Sequence, residues 1–381
     1  MVHDMRVVQF GEVAYPFYVR HGIEALSEFA QVMAGLNADR FLVVADTRAT
    51  QSLRHRLAQT LELVAPTIEL LVEPSEQHKN LATVGRLAEA ALAEGVSRRT
   101  CVIAVGGGVV GNIAGLLAAL LFRGIRLVHV PTTFLAMSDS VLSTKQGVNS
   151  RQGKNHLGAF HPPTFVWNQL DFLDSLPADE MRAAMCEAIK NVLAIKHEFV
   201  DDLEKYLNSS ARYSHDELAL LLDFCVSAKM SVMRSDVYEK HAGLVLEYGH
   251  TVGHALENLS GGGLRHGYAV GLGMLAAARI SVELGFLTRE EEDLHYHLLR
   301  KNGAPTVYDG SASASEVLGV LRKDNKRGYL SPVPGKYDFV LLERIGSPRK
   351  TNETVITQVD EAEVASALGA ITSAQFTTMV A

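Results

Sequence analysis

One segment restricts the fold of this chain more than any other: the apolar run Thr100 to Val105 stops abruptly at Gly106, Gly107 and Gly108. A continuous apolar run of that length reads as a strand buried on both faces. Glycine lacks a Cβ, so the chain can turn tightly there and enter a helix, expected from about Gly111. The same grammar repeats upstream and downstream. Phe41 to Asp46 reads as a buried strand ending in an acid, residues 51–63 as a helix, Thr67 to Val72 as a strand and residues 80–94 as a helix. Arg126 to Val130 is a further strand, closed by Pro131, Thr132 and Thr133. Strands alternating with helices predict an α/β domain, Rossmann-like, with a parallel sheet covered on both faces.

The pattern changes near Leu176 and Pro177. Beyond them, apolar residues recur with helical spacing through 181–197, 216–234, 248–259 and 267–285, with a strand at Tyr337 to Leu342 and a helix around 360–369. The 381 residues exceed what one small core organises, so two domains are expected: an α/β domain over 1–176 and a mainly helical domain over 177–381, with a cleft between them. The net charge of -7 argues against nucleic acid as the main partner. Cys101, Cys186 and Cys225 are far apart in sequence and form neither a disulfide framework nor a thiolate metal motif, which suits a reducing compartment. Met1 to Phe17 lacks the basic start and apolar core of a signal peptide, and the apolar run Ile113 to Phe122 is too short to span a bilayer. The expectation is a soluble cytoplasmic protein.

Three constellations carry chemistry. The strand–triple glycine–helix arrangement suits a pyrophosphate, because the backbone can approach closely and the helix N-terminus offers N–H groups and a positive dipole end. It is not the Gly-x-Gly-x-x-Gly fingerprint, and a plain tight turn fits the same residues. His250 and His254, four apart, share a helix face, Glu247 precedes them, and His266 follows. Such donors can hold a divalent metal with an open position, although a surface helix with scattered histidines has the same spacing. Glu187 and Lys190 share another helix face among apolar neighbours, where a carboxylate needs a partner or a metal. Glu187 is therefore a candidate third ligand beside His250 and His266. The segment Asp139 to Asn149, followed by Gly153, Lys154 and Asn155, reads as a loop whose lysines and asparagines suit an anion; a solvated loop explains it equally well.

These pieces occur in a fixed order: Val105 to Asn112, Phe122 to Gly124, Val130 to Thr133, Asp139 to Lys145, Gly153 to Asn155, Glu187 to Lys190, and Gly249 to His254. In that order they resemble the dehydroquinate synthase superfamily of sugar-phosphate cyclases, over nearly the whole chain from Asp46 to about Gly346. Within it, Ser138 to Ser143, Ser227 to Val232, Glu247 to His250 and Asp324 to Tyr329 resemble the 2-deoxy-scyllo-inosose synthase branch. Dehydroquinate synthases usually carry Asp at the position of Asn112 and Leu-Asn at that of Glu247 and Tyr248, and their substrate-carboxylate arginine aligns with Gly243. A buried arginine without an anion would be a liability in an enzyme whose substrate has no carboxylate.

The resemblance implies a reaction on D-glucose 6-phosphate: oxidation at C4 with NAD+, phosphate elimination from C6, reduction at C4, ring opening and an intramolecular aldol closure. The product feeds 2-deoxystreptamine aminoglycoside antibiotics. It also implies that Glu187, His250 and His266 bind one divalent ion, Co2+ or Zn2+, as a His2Glu set with an open position. Lys145, Asn155, His254, Arg123 and Lys326 are its phosphate candidates, with Arg123 reaching across a homodimer interface. Lys190, Lys229 and Lys154 would complete a positive pocket, and Glu247 would bond a sugar hydroxyl or shuttle a proton. For NAD the resemblance points to Asp46, Glu76, Lys79, Gly107, Gly108, Thr132, Thr133, Asp139 and Lys154, with Asn112 in place of the usual acid. The rivals are 3-dehydroquinate synthase, a sedoheptulose 7-phosphate cyclase, a metal-dependent polyol dehydrogenase of the same fold, and a degenerate NAD-binding scaffold.

Overall fold

A computed structural model describes residues 5–322, 329–351 and 354–372. It divides into two compact units, one of residues 1–176 and 214–222, the other of 177–213 and 223–381. In chain order the first unit contains β1 Arg6–Phe10, β2 Val13–Arg20, α1 Ala25–Gly35, β3 Phe41–Asp46, α2 Gln51–Glu62, β4 Thr67–Val72, α3 Leu81–Ala93, β5 Cys101–Gly106, α4 Gly108–Leu120, β6 Arg126–Pro131, β7 Lys145–Ser150, β8 Gly153–Phe160 and β9 Phe165–Gln169. Seven of its strands form one sheet in the order β1-β2-β9-β6-β5-β3-β4. All neighbours in it run parallel except the edge pair β1 and β2, which is antiparallel.

The period of two along the central strands sorts the core. Leu42, Val44, Val102 and Ala104 face a cluster with Val84 and Leu87 of α3 and Ile113 and Leu117 of α4. Phe41, Val43, Ile103 and Val105 face the opposite cluster, with Phe29 and Met33 of α1 and Leu57 and Leu61 of α2. The sheet is thus covered on both faces, as strands apolar throughout require. Two expectations need correction. The helix after the triple glycine starts at Gly108, not near Gly111. The segment expected as a loop is a π-helical turn, Ala136–Ser140, followed by the antiparallel hairpin β7–β8. Its outer strand β8 is almost wholly exposed, so it lacks the apolar alternation that marks a strand.

The second unit is mainly helical: α5 Ala178–Ala194, α6 Val200–Tyr206, the latter part of α7 His215–Met233, α8 His250–Leu259, α9 His266–Glu283, α10 Arg289–Asn302, α11 Ala314–Leu321 and α12 Glu361–Ile371. Two small antiparallel pairs accompany them, β10 Lys336–Val340 with β13 Ile356–Asp360, and β11 Leu342–Arg344 with β12 Ser347–Pro348. The strand expected across Tyr337 to Leu342 is therefore split between two sheets. Residues Ala183 to Ala194 of α5 are all buried, which makes it the central helix of this unit. α8 and α9 meet backbone to backbone: a Cβ at Gly273 would overlap the carbonyl of Gly249, which itself has φ 79°. That contact brings the first residues of the two helices, His250 and His266, close together. No helix among the described residues is long and apolar enough to cross a membrane.

Candidate metal and cofactor sites

In the first unit, β3 and β5 lie side by side, yet their connections leave in opposite directions, to β4 and to β6. Ligands of open parallel sheets bind at the carboxyl ends of strands at such a switch point. Asp46 ends β3 and Gly106 ends β5. A Cβ at Gly106 would lie 3.0 Å from the Asp46 Cβ and 2.8 Å from the Val110 Cβ, so only glycine leaves the turn unstrained. Gly107 caps α4, whose first-turn N–H groups and dipole suit a pyrophosphate. A pocket at this end is lined by Gly106, Gly107, Gly108, Asn112, Pro131 and Ser140. Asp46 is buried; burial pushes its carboxyl up, against hydrogen bonds from Arg48, Gly107 and Ala49. The Thr132 N–H donates to Gly106 O at 3.1 Å, and Thr133 Oγ1 accepts from Ala136 N at 3.1 Å. These residues fit a dinucleotide. Asn112 does more for the fold: its Nδ2 donates to Gly108 O at 2.9 Å and its Oδ1 accepts from Gly147 N at 2.8 Å, tying α4 to β7.

The hairpin is tied to the segment before α3. Lys79 Nζ donates to Asn155 Oδ1 at 2.6 Å, Asn149 N to Lys79 O at 2.7 Å, and Asn149 Nδ2 to Glu76 Oε2 at 2.7 Å. Glu76, Lys79 and Asn155 are thus brought together. Lys145 and Lys154 are exposed on the same hairpin, and Asp139 lies in the π-helical turn before it. Arg123 is exposed on a turn where Phe122 and Arg123 both take positive φ, 52° and 69°.

In the second unit Glu187 of α5, His250 of α8 and His266 of α9 converge, with one donor atom from each within 4.8 Å of the others. Glu187 Oε1 lies 3.6 Å from His250 Nε2 and 3.3 Å from His266 Nε2, while Oε2 is 2.6 Å from Lys190 Nζ. Lys190 also donates to Leu246 O at 2.7 Å. Burial alone would raise the Glu187 carboxyl, but Lys190, His250 and His266 hold it well below the usual range. Burial and Lys190 lower the His250 imidazole, against the pull of Glu187 and Glu247. Its Nδ1 lies 3.1 Å from Tyr248 O, so Nδ1–H donates there and Nε2 faces Glu187. Burial lowers His266 as well, but bonds to Glu187 and Glu257 outweigh it and raise the ring to about 10. An ionised buried carboxylate facing two imidazole nitrogens fits a divalent ion with room for substrate oxygens.

His254 stands one turn along α8, its ring 5.1 Å from that of His250 and 5.9 Å from that of His266. Lys229 of α7 is buried, and Glu247 is half-buried. Lys326 lies outside the described residues. The sequence reading misses Glu257, whose Oε2 is 3.1 Å from His266 Nδ1. The signal was present: Glu257 follows His254 by three residues, on the same helix face. Gly243 is buried; its N–H donates to Asp236 Oδ2 at 2.9 Å, and a Cβ there would meet Asp236 and Glu239 at about 3.1 Å. A side chain at that position would need both acids to give by a few tenths of an ångström.

The chain matches the models of the 3-dehydroquinate synthase N-terminal region over residues 69–183 and of its C-terminal region over 184–327. It is 46% identical to a 2-deoxy-scyllo-inosose synthase of Streptoalloteichus tenebrarius, over 90% of this chain and 88% of the relative. It is 45% identical to that of Streptomyces kanamyceticus, over 93% and 90%. A crystal structure of 2-deoxy-scyllo-inosose synthase complexed with carbaglucose-6-phosphate, NAD+ and Co2+ superposes with a TM-score of 0.90 at 38% identity, covering 96% of this chain and 99% of that one.

Proposed function

The chain belongs to the 2-deoxy-scyllo-inosose synthase family, within the 3-dehydroquinate synthase group, and from that premise we propose that it converts D-glucose 6-phosphate into 2-deoxy-scyllo-inosose and inorganic phosphate. The product would serve 2-deoxystreptamine aminoglycoside biosynthesis. The observation that carries the reading is the convergence of Glu187, His250 and His266, the first two buried and the third half-buried. Glycine at 243, where dehydroquinate synthases carry the arginine for the substrate carboxylate, supports a substrate without a carboxylate.

The net change is an oxidation at C4, loss of phosphate across C5 and C6, reduction at C4, ring opening, and an aldol bond from C6 to C1. When bound, NAD+ supplies a reversible hydride acceptor and a divalent ion, Co2+ or Zn2+, supplies a Lewis acid for sugar oxygens. Glu187, His250 and His266 would hold the ion, and Lys190 keeps Glu187 ionised and fixed. Asp46, Gly107, Gly108, Thr132 and Thr133 would cradle the dinucleotide, with Glu76, Lys79, Asp139 and Lys154 along it. Lys145, Asn155 and His254, with Lys326 and Arg123, would hold the phosphate. So held, a phosphate oxygen can take the C5 proton as the C6–O bond breaks, which makes the step intramolecular. Lys229 adds positive charge, and Glu247 would bond a sugar hydroxyl or move a proton. The reading makes the enzyme a phosphate-eliminating carbon–oxygen lyase and a cytoplasmic homodimer, with Arg123 serving the partner's phosphate site; sedimentation of the purified protein checks the assembly.

The decisive assay gives metal-loaded protein NAD+ with glucose 6-phosphate and, separately, with the seven-carbon sugar phosphates. Phosphate release and a carbocycle from glucose 6-phosphate alone are expected. Release only from a seven-carbon substrate would sink the substrate assignment.

A further inference from the structure

A metal-binding imidazole is set by what its other nitrogen does, because that bond fixes both tautomer and ring orientation. The two histidines of the proposed metal group differ here. His250 Nδ1 meets a backbone carbonyl, that of Tyr248, at 3.1 Å. His266 Nδ1 meets a carboxylate, Glu257 Oε2, at 3.1 Å. The Glu257 side chain is only 14% exposed, so little water competes for that bond. It comes from α8, the helix that begins with His250, while His266 begins α9. One helix thus carries His250 and also the carboxylate that meets His266.

The geometry also decides between two roles for Glu257. His254, Glu257 and His266 form a second set of donors that could gather around an ion. Yet Glu257 is already at hydrogen-bond distance from the His266 nitrogen facing it, while the other ring nitrogen lies 3.3 Å from Glu187. When an ion is held, a single proton on Nδ1, donated to Glu257, leaves the Nε2 lone pair free for it on the Glu187 side. We propose that Glu257 is the positioning residue of the metal site: it holds His266 in the tautomer and orientation that present Nε2 to the ion. A carboxylate also makes the imidazole a stronger donor than a carbonyl does. That is useful at the first residue of a helix, where the positive dipole end withdraws electron density from the ring.

The inference rests on the metal assignment, and the experiment separates the two. Zn2+ and Co2+ affinities of the full chain, of E257Q and of E257A are measured by chelator competition, together with the metal-to-protein ratio, the visible spectrum of the Co2+ forms and thermal unfolding of the metal-free proteins. One ion per chain is expected in all three. E257A should bind it about 10–100-fold more weakly, the usual loss when such an outer partner is removed, with an altered Co2+ spectrum. E257Q, whose amide oxygen still accepts from Nδ1–H, should recover most of the affinity, which a merely structural role would not produce. Equal affinity and an unchanged spectrum in E257A would overturn the proposal while leaving the metal site standing. Two ions in the parent and one in E257A would overturn it in favour of a second metal site. No ion in the parent would overturn the metal assignment itself. If E257A does not fold, E257Q decides alone: unchanged tautomer-sensitive nitrogen shifts of His266 support the proposal, and a switch of the proton to Nε2 overturns it.

Discussion

The two polar centres of this molecule are built on opposite principles. The one in the first unit is made by leaving atoms out: glycines at the end of β5 and backbone N–H groups at the start of α4, with one buried acid, Asp46. The one in the second unit is made by burying charge: Glu187 and Lys190 are 1% and 2% exposed, with two histidines beside them. A backbone cradle costs little when empty, since its N–H groups can meet water. A buried ionic group is stable only when complete, because removing one partner strands the other. The second centre should therefore be far more sensitive to single substitutions, and each centre should fail without disturbing the chemistry of the other.

Glu187→Ala tests that contrast most severely. It leaves the buried Lys190 ammonium without its carboxylate, so metal-free stability should fall by about 3–5 kcal/mol, read by urea unfolding with chelator present. Metal binding and turnover should be lost, whereas NAD+ affinity should hold. Bound metal and full activity in this variant would remove Glu187 from the ligand set. A second test uses acid. His129 in the first unit and His295 in the second are both buried, and burial lowers each from 6.5 to about 4. A histidine with a depressed folded value binds protons preferentially when unfolded, so its stability contribution is complete above pH 6.5 and is lost as the pH falls towards about 4. Each shift is worth roughly 3 kcal/mol. Urea unfolding from pH 7 to pH 4 should give a shallower acid slope in H129Q and in H295Q than in the parent; equal slopes would reject the burial argument.

Gly106→Ala probes the cradle and should have a smaller effect. The new Cβ meets Val110 and Asp46 at 2.8 and 3.0 Å, an overpacking cost of about 1–3 kcal/mol. NAD+ affinity should fall at least tenfold (about 1.4 kcal/mol) while metal affinity stays as in the parent. Unchanged NAD+ binding would place the dinucleotide elsewhere.

The same contrast explains what could be read from the sequence. β3, β5, β6 and the glycine turn are legible because each carries its signal within a few residues: an apolar run, then a residue that ends it. The hairpin β7–β8 is not, because Lys145, Gly147, Asn149, Lys154 and Asn155 are polar or small and its outer strand faces solvent. The edge strand β1 is hidden for a similar reason, with Arg6 and Gln9 exposed along it. In the second unit the proposed ligands Glu187, His250 and His266 come from three helices, and local spacing joins only His250 to His254. Ordered motifs made the set recognisable; the spacing alone did not. Glu257 escaped because an acid on a helix normally reads as a solvated residue, and only the approach of α8 to α9 brings it the His266 ring.

Tyr248→Phe is the mildest test and the most discriminating within the segment that begins at Glu247. The Tyr248 hydroxyl lies 2.8 Å from His295 Nε2, and the Glu291 carbonyl lies 2.7 Å from Nδ1 of the same ring. The ring therefore donates through Nδ1 and accepts at Nε2. Both Tyr248 and His295 are fully buried, so removing the hydroxyl strands an acceptor and should cost about 1–2 kcal/mol. What orients His250, however, is the Tyr248 carbonyl, which phenylalanine retains. Stability should fall while metal affinity and turnover persist. If metal affinity falls with it, the buried bond to α10 also holds that carbonyl in place. The Tyr248 side chain would then act on the metal site through His250, as Glu257 does through His266.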